Sequence, residues 1–331
     1  MYTSQALENT EDILGLEAEW EKLHSSSLTQ TVFQTPSFQQ TWWDTLGFGK
    51  RIIITIRDKE MNLVALAPIF LEETENEIKL NLVGCVNVSD YLDVLIDNTE
   101  ENIDAIYESL LSEIDKINWD KLFWCSLPEK SKTRDALKRY FSENENVKES
   151  IQDVAPIINL PESWDEYLVS VGRKQRHEIR RKQRKLDQVN HAYEVIQQPT
   201  VDDVDDFIAL HKQSSQNKKE FWDEKHLIFF RKLVPTLAVN NKIRMFFLRV
   251  DNKRVASMLA FDEPDSLALY NSGFSAGTYD ELSIGSNLIA YTIKYAIENR
   301  KGIYDFLRGD EAYKFRFGAI STNVYDIEID R

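Results

Sequence analysis

Apolar and polar positions alternate with two periods along this chain, and the switch between them marks its elements. Ile13, Leu14, Leu16, Trp20 and Leu23 recur among acids at helical spacing over 11–24. Thr35-Pro36-Ser37 predicts a turn that opens a helix through Trp42 and Trp43, with proline near its start. Strand-like runs follow at Ile52–Arg57 and Val64–Leu71 around the polar turn Asp58–Asn62, then at Ile78–Val83 and Tyr91–Ile96. An amphipathic helix over Asn102–Ile117, a strand at Lys121–Ser126 and a helix over Arg134–Phe141 close this stretch, and the charged Glu143–Ser150 reads as a connector.

A second cycle begins at Ser163, placed as the N-cap of a helix with Glu166 in the capping-box position. Val201–Gln213 and Trp222–Ala238 read as helices, Arg244–Val250, Val255–Phe261 and Leu267–Phe274 as strands, and the first two strands turn at Asp251–Arg254. Ser286–Asn299 is helical with one apolar stripe and Gly302 as its stop; strands at Ile303–Leu307 and Val324–Ile329 follow. The segments IITIRDKEMNLVALAPIF and FFLRVDNKRVASMLAFDE share strand, polar turn, Val-Ala, strand, each with more strand, a long helix and a strand after it. The expectation is a duplicated α+β unit, with domains over 1–150 and 151–331.

Composition sharpens this. The 331 residues are 42% hydrophobic, enough for real cores, and the formal net charge is −15. Residues 173–185, RKQRHEIRRKQRK, hold eight Lys or Arg and one Glu, a local +7 in a chain that is otherwise −22. On a helix Arg173, Arg176, Arg180 and Arg184 share a face, while Ile179 and Leu186 dock another. Such a ridge suits phosphates: a coenzyme A tail, a tRNA acceptor stem, or an anionic glycan or lipid head group. No aromatics interleave with it, so stacking of single-stranded bases is not supported. Cys85 and Cys125 stand far apart, which suggests no disulfide framework and a reducing compartment. The five histidines show no metal-ligand spacing. The N-terminal residues lack a secretory pattern and no apolar run is long enough to span a bilayer, so the expected location is cytoplasmic.

The densest chemistry is Tyr304–Gly318, reading YDFLRGDEAYKFRFG after a strand. Upstream, Ser283-Ile284-Gly285-Ser286-Asn287 opens a helix whose free N–H groups and dipole suit a pyrophosphate. With Tyr270-Asn271-Ser272-Gly273 before it, this order resembles the CelD/BcsL-like acetyltransferase domain of the GNAT superfamily, related to the Fem-type peptidyltransferases with their two GNAT lobes. FQTPSFQQTWWDTLG, LVGCVNVSDYLDVLI and WDKLFWCSLPEKS are similar to that family's first lobe, and RKQRHEIRRKQRKL to its lobe junction.

The resemblance implies tandem GNAT-like lobes, each a mixed, mostly antiparallel sheet flanked by helices, with the donor site in the second. It implies an N-acyltransferase: an amine of a small molecule or of a glycan, peptide, polysaccharide or envelope precursor attacks an acyl-CoA, such as acetyl-CoA, directly, without metal. Lys314 would stabilise the oxyanion, Asp310 or Asp305 would receive the proton or orient the amine, and Tyr313 would protonate the leaving thiolate. Ser283, Gly285, Ser286 and Asn287, with Tyr270 and Asn271 on the preceding strand, would hold the donor. Arg173, Arg176, Arg180, Arg308 and Arg316 would bind phosphate or carboxylate. The GNAT phosphate loop is incomplete, and Ser283-Ile284-Gly285 stands where many members have Ser-Pro-Gly. Two other readings therefore stand beside the first: an aminoacyl-tRNA-dependent transferase and a non-catalytic GNAT-like binding module.

Overall fold

The computed structural model describes residues 2–85, 88–142 and 146–331. Its chain divides into two compact units, residues 1–153 with 323–331, and residues 154–322.

In the first unit β1 (Thr3–Leu7), α1 (Thr10–Gly15), α2 (Glu17–Ser26) and α3 (Pro36–Leu46) precede the strands β2 (Lys50–Arg57), β3 (Leu63–Glu73), β4 (Ile78–Leu82) and β5 (Leu95–Ile96). Then come α4 (Ile103–Asp115), β6 (Lys121–Pro128) and α5 (Thr133–Tyr140). Thr35 caps α3 by accepting from the Phe38 N–H, with Pro36 in the first turn, as the sequence signals. The helix expected over 11–24 is divided between Gly15 and Glu17, so that Ile13, Leu16, Trp20 and Leu23 all reach one core with Ile53, Leu66 and Leu95. The Tyr91–Ile96 strand shrinks to Leu95–Ile96, because the buried Asp93 spends its carboxylate on Thr29, Ser131, Thr133 and the Val94 N–H. Cys85 and Cys125 are disulfide-bonded, Cα–Cα 5.9 Å, contrary to the sequence reading. Residues separated by 40 positions meet because β4 and β6 are parallel neighbours.

The connector expected at 143–150 becomes strand β7 (Val147–Asn159) from Val147 onward; Glu143–Glu145 lie outside the described residues. The second unit continues with α6 (Trp164–Ser170), α7 (Gly172–Leu186), β8 (His191–Ile196), α8 (Val201–Ser214), α9 (Gln216–Glu220) and α10 (Glu224–Val239). The hairpin β9 (Ile243–Val250) and β10 (Lys253–Asp262) follows, then β11 (Ser266–Phe274), α11 (Ile284–Glu298), β12 (Ile303–Asp305), α12 (Ala312–Arg316) and β13 (Ile320–Asp330). Asp251 and Asn252 both have positive φ (47° and 66°), the geometry of a tight hairpin turn. Ser163 caps α6 by accepting from the Glu166 N–H.

The two units repeat one strand order. In the first it is β1-β2-β3-β4-β6-β13, in the second β8-β9-β10-β11-β12-β7. In both, the fourth and fifth strands are parallel and the other neighbours antiparallel. The first unit takes its sixth strand from the far end of the chain, β13 on β6, whereas the sixth strand of the second is β7, which leads into that unit and pairs with β12 through Ile157, Ile158 and Asn159. Residues 323–331 therefore lie with the first unit rather than closing the second.

Candidate functional site

The second unit opens where β11 and β12 part. They pair only from Ser266↔Ile303 to Ala268↔Asp305; β11 continues to Phe274 while β12 stops. The strand expected through Leu307 ends early because Asp305 turns the chain, accepting from the Leu307 N–H at 2.7 Å, and Leu307 has φ 55°. The loop then follows β7 instead, with the Phe306 N–H on Pro156 O and the Gly309 N–H on Val154 O. β11 thus runs on beyond its pairing with β12, and the segment after β12 holds Arg308, Asp310, Glu311, Tyr313 and Lys314.

Lys314 is 2% exposed. Its Nζ donates to the carbonyls of Leu307 (3.2 Å), Arg308 (2.7 Å) and Gly309 (3.0 Å), and lies 2.9 Å from the Glu311 carboxylate. An ammonium has three protons, so these acceptors use all of them. Gly309 makes the arrangement possible: its φ is +116°, and a Cβ there would sit 2.4 Å from Glu311 Oε2 and 3.0 Å from Lys314 Nζ. In this structure Lys314 is a clamp on the loop. Tyr313 packs on the core with its ring edge toward Phe306, and burial raises its phenol pKa, so it stays protonated at neutral pH. Asp310 and Arg316 are exposed.

Three groups here escaped the sequence reading. His211 on α8 is 3% exposed. The Trp222 indole N–H donates to its Nδ1 (2.9 Å), which leaves the proton on Nε2, directed at Asn271 Oδ1 (3.2 Å). Burial, then the charge of Lys218, lowers the His211 pKa to about 3, against the opposing pull of Asn271. Lys218 on α9 donates to Ser272 O on β11; burial lowers its pKa and the Glu311 carboxylate raises it, an electrostatic link across the opening. Tyr270 lies against Phe230 and Phe261. Gly273 lets α8 approach, since a Cβ there would be 2.3 Å from the His211 backbone nitrogen.

The third group is Lys182. Helix α11 starts at Ile284, earlier than the expected Ser286, so Gly285 lies in its first turn. Its N-cap, Ser283, is left-handed (φ 50°, ψ 45°) and makes no side-chain cap, so the N–H groups of Ile284, Gly285 and Ser286 have no intrahelical acceptor. Lys182 reaches from α7 to donate to Ser286 Oγ at 3.0 Å. Burial lowers its pKa, and the charges of Arg181 and Arg316 lower it further, opposed by Glu178. Asn287, 1% exposed, donates to Leu282 O and Lys182 O and leaves its own Oδ1 unpartnered. The start of α11 therefore gathers free N–H groups, a hydroxyl and a lysine, a donor set for an anion. Its other end is closed by Arg300 (φ 59°) rather than Gly302, which instead donates to Asp265.

Arg173, Arg176, Arg180 and Arg184 line one shallow surface of α7 as expected, with Ile179 and Leu186 buried beneath. Among the described residues none of these four arginines makes an ion pair, whereas Arg181 pairs with Glu178. Also among the described residues, no cluster of His, Cys, Asp or Glu could hold a metal ion, and no helix is long and apolar enough to cross a membrane.

Residues 173–315 match the acetyltransferase (GNAT) domain family. No curated protein matches the chain. Among solved structures it resembles FemX (11% identity, TM-score 0.70, 99% of this chain and 97% of that one). It also resembles a conserved protein of unknown function from Bacteroides thetaiotaomicron VPI-5482 (14%, 0.59, 99% and 100%) and L-PGS from Bacillus licheniformis (12%, 0.57, 88% and 91%). At these identities the likeness is one of fold. The chain has two α+β units of one strand order, a fold it shares with FemX, and residues 173–315 of the second unit match the GNAT domain.

Proposed function

We propose that the protein is an N-acyltransferase that takes its acyl group from an acyl-CoA held at the start of α11. The observation that carries this is the uncapped first turn of a 15-residue helix with Lys182 bonded to Ser286 beside it. Helix-start N–H groups and a cation together select a pyrophosphate. The acyl end then extends along β11 toward Asn271, whose carboxamide is fixed by His211.

In this reading the acceptor amine nitrogen attacks the thioester carbon, the C–S bond breaks as the C–N bond forms, and the amine loses one proton. Asp310 and Glu311 draw the amine to the opening and receive that proton; Tyr313, held protonated by burial, supplies one to the departing thiolate. Lys314 is a positioning residue, setting the 307–309 loop through its carbonyls. The acceptor class remains a small-molecule amine or a glycan or peptide precursor.

The test is thiol release from acetyl-CoA and longer acyl-CoAs with a panel of amines, for the native protein and Gly285→Asp. A Cβ at Gly285 meets only ordinary contacts, 3.5 Å from Phe274, so the variant folds while its carboxylate repels phosphate. Amine-dependent release abolished by the substitution supports the reading. Release unaffected by it moves the donor elsewhere; no release with any acyl-CoA, but transfer from aminoacyl-tRNA, replaces the donor.

A further inference from the structure

Lys218 spends less of its ammonium than Lys314 or Lys301. Lys314 gives its protons to three carbonyls, and Lys301 meets Asp262 and the carbonyls of Glu263 and Pro264. Among the described residues the half-buried Lys218 donates only to Ser272 O and joins no ion pair, so two of its three N–H groups have no protein acceptor.

The residue before Ser272 on β11 is oriented by a relay. An indole nitrogen only donates, so Trp222 makes His211 Nδ1 an acceptor; Nε2 then carries the proton, and Asn271 answers with Oδ1. Burial keeps His211 neutral, with its pKa lowered to about 3, so this order holds at neutral pH. The two amide protons of Asn271 are left over, with no acceptor among the described residues. Asn271 and Ser272 both lie beyond Ala268, the last residue of β11 to pair with β12. An unspent ammonium and an unspent carboxamide, anchored at successive residues of one strand, make a donor pair for a carboxylate.

Glu311 supplies the opposite charge. It acts electrostatically on Lys218 but forms its ion pair with Lys314 instead. Burial lowers the Lys218 pKa and Glu311 only partly offsets that, so the ammonium gains from a closer carboxylate. Opposite charges within electrostatic reach that do not pair suit a molecule that carries both and sits between them.

We propose that the acyl acceptor is an amino acid, its carboxylate held by Lys218 and Asn271 and its amine directed to Asp310 and Glu311. This rests on the acyl-transfer reading and names the acceptor of that same site. The C–N bond forms as the C–S bond breaks, one proton of the neutral amine is replaced at the thiolate, and the carboxylate is unchanged.

The experiment has two arms, both on the full chain. In the first, thiol release from acetyl-CoA and longer acyl-CoAs is followed with the protein amino acids, and for each that reacts with its amide and its decarboxylated amine. The amino acid should be the better acceptor by about 10–100-fold in kcat/KM, mainly through KM. Lys218→Met keeps the aliphatic stem and should lower kcat/KM for the amino acid by that factor and for the amide by far less; Lys218→Arg should restore part of the preference. In the second arm, calorimetric titration measures binding of the same amino acids without a donor. Unchanged thermal unfolding verifies that the variants fold. Transfer that treats amino acid and amide alike, or a preference that Lys218→Met leaves intact, overturns the inference and leaves the acyl-transfer reading standing. No release with any acyl-CoA, together with amino-acid binding that Lys218→Met removes, supports the carboxylate site and overturns that reading. Neither release nor binding overturns both. A preference for succinyl-CoA over butyryl-CoA that Lys218→Met removes, with plain amines as good as amino acids, puts the carboxylate on the acyl group and overturns the acceptor assignment.

Discussion

Replacing Lys314 by methionine keeps the aliphatic stem and removes the ammonium. The three loop carbonyls that it satisfies lose their donor, and that of Leu307 belongs to a residue only 1% exposed. A hydrogen bond to a charged group contributes ~1.5–3 kcal/mol, but carbonyls nearer solvent regain water, so the loss is taken as one to two bonds, about 3 kcal/mol. The Glu311 bridge is discounted, because that carboxylate is 56% exposed. At ~2–4 °C per kcal/mol for a unit of this size, the unfolding midpoint should fall by about 6–12 °C. Scanning calorimetry reads this directly. A midpoint within about 1 °C of the native protein, with transfer activity lost, would refute the clamp: the ammonium would then be free at rest and act only on the oxyanion.

Other outcomes follow from the same geometry. Gly273→Ala should destabilise by more than about 3 kcal/mol, or prevent soluble expression, since its Cβ would strike the α8 backbone at 2.3 Å; urea unfolding measures it. His211 is held neutral with its folded pKa below the unfolded value, so the unfolded state binds the extra proton between about pH 6.5 and 3. Its contribution is present above pH 6.5 and is lost as pH falls, by about 1.4 kcal/mol per unit, a slope that denaturation from pH 7 to 5 should show and His211→Asn should reduce. Burial raises the Asp203 pKa, but bonds from Thr200 and Arg254 outweigh it and the net shift is downward. Arg254→Met should therefore cost ~1–2 kcal/mol at neutral pH, a cost that shrinks as acid protonates Asp203, read by the same denaturation series.

The strand–helix order of both lobes was legible because Ile52–Arg57, Val64–Leu71 and their counterparts alternate or run apolar between clear turns. Edge strand β8 was not read: its side chains are half-buried or exposed, so its composition resembles a loop. The placement of β13 on β6 leaves no local signal, since pairing is set by a partner far along the chain. At the site, the sequence marked Lys314, Asn271 and Gly285 by their neighbours. It did not yield the Lys314 clamp, nor His211 and Lys218, because their chemistry arises from burial and from partners on other elements. Lys182 was hidden among basic residues of similar appearance; only its side of α7 distinguishes it.

The central claim is that the donor's phosphates meet the first turn of α11, and hydrogen exchange tests it most directly. The amides of Ile284, Gly285 and Ser286 lack intrahelical acceptors and should exchange quickly in the free protein. Saturating acetyl-CoA should slow exchange across 283–287 in the native protein and not in Gly285→Asp. Protection confined to other segments, or none at any acyl-CoA concentration, would contradict the account.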